Sequence, residues 1–168
     1  MDSISCNPAD FKNACSRFPS GVTITTVRDE KGLPHGITVS SFTSVSLSPP
    51  MVLVCIDHRS SVLQHISPGK HIGVNILGNC QQELSIRFSG DSSKRFTNVP
   101  WYPGRMGVPL FLDVAAHLEC QVAQMWAAGD HFIILGKVLH ANSNEGPSLL
   151  YVNRCYRKYA DIQASLKL

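Results

Sequence analysis

Three stretches of this 168-residue sequence gather side chains able to bind or react. The densest is His35-Gly36-Ile37-Thr38-Val39-Ser40-Ser41-Phe42-Thr43-Ser44-Val45-Ser46, with six hydroxyls in twelve residues. Hydroxyls clustered where a strand leaves its sheet, with free backbone N–H groups beside them, can bind phosphate or the edge of a heteroaromatic ring. The same residue types also make an ordinary Ser/Thr-rich edge strand. The second stretch is Cys55-Ile56-Asp57-His58-Arg59-Ser60-Ser61. An apolar strand ends there in polar residues and a helix begins, with Ser60 or Ser61 placed to cap it. The first N–H groups of a helix lack partners and attract anions, and Arg59 adds a bidentate donor. An ordinary capped helix carries the same signs. The third is Ala128-Gly129-Asp130-His131, a turn that sets His131 at the start of a strand, free to point into a cleft. An imidazole there has the titration range of an acid, and equally suits a structural hydrogen-bonding role.

Metal and disulfide chemistry find no support. None of the seven histidines forms an HxH or HxxxH pair, and the six cysteines are scattered without a CxxC. Cys55 and Cys120 sit inside apolar runs and read as small core residues.

The elements that must position these groups follow from periodicity and turn signals. Asp10 reads as the N-cap of a short helix carrying Phe11, Ala14, Cys15 and Phe18 on one face, stopped at Pro19-Ser20-Gly21. Residues 22–27 and 34–40 read as strands of a hairpin turning at Asp29-Glu30-Lys31-Gly32. The stretch 41–47 closes at Pro49-Pro50. Residues 51–56 are a nearly continuous apolar run, which predicts a strand buried on both faces. Residues 60–66 allow one or two helical turns. A strand at 70–77 is followed by a helix at 81–88 with Leu84 and Phe88 on one face. Residues 89–109, rich in Gly and Pro, read as a long loop with little regular structure. Two long strands, 115–126 and 130–142, are joined by Ala127-Ala128-Gly129. Residues 148–152 and the segment around Tyr156 finish a single domain, 1–168, with its core at about 10–157. Short strands with hairpin turns predict a mainly β fold, an antiparallel barrel with short helices, over a doubly wound sheet. No GxGxxG or GxxxxGK[ST] follows a strand, so the usual dinucleotide and P-loop signatures are absent.

Composition narrows the setting. Hydrophobic residues make up 43% and charged residues 16%, against roughly 25% charged in an average soluble domain. So little charge predicts that much of the surface is covered, by a second copy or by a large apolar ligand. A net charge of +3 without a basic run interleaved with aromatics gives no reason to expect nucleic acid. No apolar stretch is long enough to span a membrane, and the N-terminus lacks signal-peptide features, so a cytoplasmic protein is the expectation.

Taken in order, the motifs resemble the flavin reductase family of short-chain NAD(P)H:flavin oxidoreductases, the reductase components of two-component monooxygenases. The resemblance runs from about Phe11 to Tyr156. It is carried by Phe18-Pro19-Ser20-Gly21-Val22, the 35–42 stretch, Ser44-Val45-Ser46-Leu47-Ser48-Pro49-Pro50, Val74-Asn75-Ile76-Leu77, Glu119-Cys120, Gly129-Asp130-His131 and Leu150-Tyr151.

The resemblance implies an FMN-binding split barrel, a homodimer, and a flavin groove near the dimer interface. Thr38, Val39, Ser40, Ser41 and Phe42 would run along the isoalloxazine edge, supported by Ser44. Cys55, Ile56 and Asp57 would approach the ring or ribityl chain. Ser60 and Ser61, with Arg59 nearby, would hold phosphate. Asn75, Ile76 and Leu77 would line the dimethylbenzene and ribityl side, and Lys94, Arg95 and Phe96 would add phosphate contacts. His131 would contact the nicotinamide, and Tyr156 would close over it. The implied reaction is hydride transfer from NADH or NADPH to FMN, with FAD as the alternative flavin, supplying a partner flavin-dependent monooxygenase. The chain departs from the family at Asn153-Arg154-Cys155-Tyr156, where a glycine is common. That departure bears on the backbone beside the nicotinamide and on the choice between NADH and NADPH. Two other readings of the same fold are a flavin carrier or sensor without turnover, and a flavin-dependent biosynthetic oxidase.

Overall fold

The computed structural model describes residues 6–158. Helix α1, Pro8–Ser16, is capped by Asn7, whose side-chain oxygen accepts from Ala9 N at 2.8 Å. Asp10, the expected cap, lies in the first turn instead. Pro8 at the first helical position is preorganised for that start and needs no N–H partner. No residue of α1 is buried: Phe11 is 61% exposed, and Phe18, expected on the same face, lies beyond the helix and is 78% exposed.

The strands are β1 (Ser20–Gly21), β2 (Thr23–Arg28), β3 (Pro34–Val39), β4 (Phe42–Leu47), β5 (Pro50–Asp57), β6 (His71–Ile76), β7 (Trp101–Pro103), β8 (Pro109–Phe111), β9 (Ala116–Ala128), β10 (His131–Ser143), β11 (Leu150–Val152) and β12 (Cys155–Arg157). Helix α2 spans Gln82–Ser89, and 3₁₀ turns occupy Ser61–His65 and Ser92–Lys94. Seven strands form one antiparallel sheet in the order β3-β2-β6-β9-β10-β5-β4. Its two edge strands, β3 and β4, are consecutive in the chain and linked by Ser40-Ser41. The sheet therefore curls until its edges meet through a covalent link rather than a ladder, which is a split barrel.

The barrel interior is aliphatic: Val27, Val39, Val52, Val54, Ile56, Ile72, Val74, Cys120, Val122 and Ile134 pack together with Val62 and Ile66 from the 3₁₀ turn. Each such side chain contributes about 1.5–3 kcal/mol when fully buried. A second, aromatic core lies outside the barrel under α2. There Phe88 meets Phe96 and Phe111 edge-on at 4.9 and 5.1 Å, with Tyr151 and Tyr156 packed against the cluster.

Strand β5 corrects one expectation. Only Val52, Val54 and Ile56 face the core, while Met51, Leu53, Cys55 and Asp57 are half-exposed on the outer face. An uninterrupted apolar run cannot reveal by itself that one face serves an outer surface. Cys55 is accordingly no core residue, whereas Cys120 is fully buried. The region 89–109 corrects another, since it contains the β7–β8 hairpin. Buried Glu119 fixes the hairpin turn by accepting from Arg105 N and Met106 N at 3.0 and 2.6 Å.

Candidate active site

The β3–β4 link carries the first predicted stretch to the surface. Ser40 and Ser41 are exposed, and so are Thr43 and Ser44 on β4. As an edge strand, β4 pairs only with β5, which leaves ladder groups on its other side. Ser41 is tied to Cys55: its hydroxyl donates to Cys55 O at 3.0 Å, and Cys55 N lies 3.3 Å from Ser41 O. The bend is thereby fixed along the edge of β5 that faces away from β10.

The β5–β10 ladder joins the second and third stretches. His131 pairs with Asp57, Phe132 with Ile56 and Ile133 with Cys55. Cross-strand partners share a face, so Cys55, Asp57, His131 and Ile133 stand together outside the barrel. Trp126, opposite Ile133 on β9, extends this face and is 46% exposed. His131 Nδ1 donates to Asp130 Oδ1 at 2.7 Å, which leaves Nε2 as the ring's other polar position. His58 Nε2 donates to the His131 carbonyl at 2.9 Å, and its ring packs on Phe132 at 4.6 Å.

Asp57 and Arg59 form a fork. Arg59 Nε and Nη2 donate to the carboxylate at 3.0 and 2.6 Å, and Arg59 N donates at 2.8 Å. These bonds, the guanidinium's first, hold the Asp57 carboxyl well below the usual carboxylate range. Ser60 stands at the cap position of the 3₁₀ turn but makes no side-chain cap bond. Its hydroxyl is buried without a partner.

A second group forms on the other side of the split. Thr38 donates to the Ser85 carbonyl at 2.6 Å, and Ser85 Oγ lies 2.9 Å from Tyr156 Oη. Val39 faces the barrel core, and Phe42 packs against it. Among the remaining predicted residues, Asn75 is fully buried: it donates to Ile24 O and Thr26 Oγ1 and accepts from Phe111 N at 3.0 Å. Its polar atoms are engaged in tying β2, β6 and β8 together. Ile56 and Leu77 are buried, and Ile76 is half-buried. The Arg95 guanidinium is buried and donates to Gly36 O at 2.7 Å and to Gly90 O at 3.2 and 2.8 Å. Phe96 belongs to the aromatic core. Lys94 is exposed and lies 4.0 Å from Asp91. Ser61 is exposed at the start of the 3₁₀ turn. Sequence reasoning gave Ser85 and His58 no role. A serine inside a helical pattern carries no signal, and His58 only acquires its partner through the β5–β10 register.

A split barrel, an exposed hydroxyl-rich link and a histidine at the mouth of the long hairpin occur here together. Residues 15–160 match the Flavin reductase like domain. The chain belongs to that family. The flavin reductase (NADH) of Kitasatospora aureofaciens is 39% identical over 153 residues, covering 89% of this chain and 80% of the relative. The reductase subunit HsaB of a flavin-dependent monooxygenase from Mycobacterium tuberculosis is 35% identical over 133 residues, covering 79% and 70%. The solved structure of the NADH:FAD oxidoreductase SgcE6 from Streptomyces globisporus superposes with a TM-score of 0.84 at 32% identity, covering 94% of this chain and 97% of that one. Two relatives from Rhizobium meliloti, 40% and 36% identical, are longer, and the chain spans 42% of one and 65% of the other. No helix among the described residues of this flavin reductase family member is long and apolar enough to cross a membrane.

Proposed function

We propose that the chain catalyses reduction of a flavin by NADH and hands the reduced flavin to a partner monooxygenase. One observation carries the reading. The exposed Ser40-Ser41 link and His131 flank the same strand, β5, on its two edges, through the Ser41–Cys55 backbone bonds and the Asp57–His131 pairing. A planar ring laid against the outer face of β5 would have hydroxyls at one edge and an imidazole at the other.

The residues present fit a flavin. Ser60 has an unpartnered buried hydroxyl beside Arg59, and β4 keeps an unpaired edge. Bound flavin and nicotinamide would supply the hydride chemistry. The protein's part is alignment. The 38–42 backbone, with Ser44, would hold the ring edge, and Cys55 and Asp57 would line its face. Arg59, Ser60, Ser61 and Lys94 would hold phosphate. Ile56, Asn75, Ile76, Leu77, Arg95 and Phe96 would act by fixing the frame. His131, oriented by Asp130, would present Nε2 to the nicotinamide, and Tyr156 would close the other side. FMN is the first choice and FAD the alternative, because relatives of both kinds exist in the family: one is an FMN reductase (NADH) and another an NADH-dependent FAD reductase. NADPH is the alternative reductant. The exposed Phe11, Phe18, Val45, Leu47 and Trp126 support a homodimer that covers them.

The test is steady-state oxidation of NADH and of NADPH in the presence of FMN or FAD, followed at the nicotinamide absorbance. Flavin-dependent oxidation is expected. No oxidation with any of the four pairs would overturn the proposal.

A further inference from the structure

Ser85 sits in the middle of α2 with no exposed surface. Its carbonyl accepts the Thr38 hydroxyl at 2.6 Å, and its own hydroxyl lies 2.9 Å from that of Tyr156. Tyr156 is half-buried, with its ring 5.1 Å from that of Tyr151. Among the described residues, Tyr156 is the only hydrogen-bond partner of Ser85 Oγ.

A hydroxyl–hydroxyl contact leaves the donor open, but burial decides it. If Tyr156 donated, the Ser85 proton would be buried without an acceptor, and a buried unsatisfied donor carries its full desolvation penalty. With Ser85 as donor, its proton is satisfied and the Tyr156 proton is free to point outward. Thr38 has the reverse polarity. Its proton is committed to the Ser85 carbonyl, so its oxygen meets a ligand as an acceptor only.

From this we infer that Ser85 is a positioning residue whose hydroxyl turns the Tyr156 proton outward, while its backbone carbonyl holds the Thr38 proton. Thr38 becomes an acceptor for an N–H or O–H group, and Tyr156 becomes a donor for a carbonyl oxygen. The inference rests on the reductase reading. Flavin and nicotinamide both carry carbonyls, and Tyr156, which the proposed function sets on the nicotinamide side, would engage that of the carboxamide. Ser85 touches neither substrate and acts through Tyr156.

Steady-state kinetics of wild type, Ser85→Ala, Tyr156→Phe and the double variant, each confirmed folded by thermal melting, test it. Either single change is expected to raise KM for NADH about fivefold and to leave KM for the flavin within about twofold. The double variant is expected to resemble Tyr156→Phe alone, because Ser85 acts only by orienting the Tyr156 hydroxyl, which that variant lacks. Should Ser85→Ala fail to fold, Tyr156→Phe removes a single half-buried oxygen and carries the same KM prediction. An unchanged KM for NADH, equal rises for NADH and flavin, or additive effects in the double variant would overturn the inference while leaving the reductase reading in place. A wild type that oxidises no nicotinamide would overturn that reading and the inference with it.

Discussion

His131 and Asp57 stand opposite one another in the β5–β10 ladder, and each is held by a sequence neighbour. Asp130 accepts from the imidazole at 2.7 Å, and Arg59 forks the Asp57 carboxylate at 3.0 and 2.6 Å. The two residues therefore share a face while being oriented independently.

Independent orientation predicts separable effects. His131→Ala is expected to lower kcat/KM for NADH about tenfold, equivalent to about 1.4 kcal/mol. Flavin binding, followed by fluorescence titration, should change by less than twofold. Equal losses would contradict the assignment of His131 to the nicotinamide side.

The Asp57–Arg59 fork predicts a pH signature. The folded-state pKa of Asp57 is depressed, so any stabilisation from the fork is present above the unfolded value, about 3.9. It is lost as pH falls through the lower folded value. Carboxyl-carbon NMR should find Asp57 still ionised at about pH 3.5. In Arg59→Ala its titration should move up towards the ordinary range. Because the Arg59 side chain is 88% exposed, melting at neutral pH should hardly change.

Arg95 and Arg59 should behave oppositely. Arg95 is buried and donates to carbonyls of Gly36 and Gly90 that no other side chain reaches in its place. Its loss takes the donor from the carbonyl of buried Gly36, at about 1–3 kcal/mol. Arg95→Ala is expected to lower Tm by several degrees, and Arg59→Ala to weaken flavin binding with Tm intact. A stable Arg95→Ala protein with weakened flavin affinity would return Arg95 to the phosphate site.

The β11–β12 turn holds Asn153 and Arg154 at φ 51° and 60°. Both are left-handed, as a two-residue hairpin turn requires, and only asparagine tolerates that region well. The turn is docked on α1 through Asn153 N to Ser16 O at 2.7 Å and Arg154 Nη2 to Asn13 Oδ1 at 3.1 Å. Arg154→Gly relieves the left-handed strain, for a net gain of about 0.5–1 kcal/mol after the entropy of glycine. Calorimetry should show a rise in Tm of about 1–4 °C. A fall would mean that the contact with Asn13 outweighs the backbone strain.

Thiol reactivity should separate the cysteines. Burial, helped by Glu119, pushes the Cys120 thiol up to about 12. Cys15, Cys80 and Cys155 are exposed and Cys55 is intermediate. Alkylation of the native protein at mildly alkaline pH should label the exposed thiols and spare Cys120. Added flavin should protect Cys55 specifically, as read by peptide mass mapping. Labelling of Cys55 that flavin leaves unchanged would remove it from the groove wall.

Much of the barrel was legible because hairpin turns and β-branched runs act locally. The 22–40 hairpin, the two long strands and the Asp130-His131 turn appear within a residue or two of where the pattern puts them. What was not legible depends on tertiary partners. A buried apolar run such as 51–56 does not say which face will serve a surface. Arg95 and Asn75 look like ligand-binding residues in sequence because their long-range backbone partners, Gly36 and Phe111, are invisible there. The β7–β8 hairpin takes its turn contacts from Glu119 and its aromatic packing from Phe88, partners that lie outside the 89–109 stretch.

The central claim is direct reduction of flavin by nicotinamide on the outer face of β5. Its most direct test is anaerobic mixing of the protein with NADH and FMN or FAD, following the visible absorbance of oxidised flavin. The account predicts rapid bleaching, slowed when the transferred hydrogen at the nicotinamide C4 position is replaced by deuterium. Flavin colour that persists with both flavins, in a protein shown to bind flavin and nicotinamide, would contradict it.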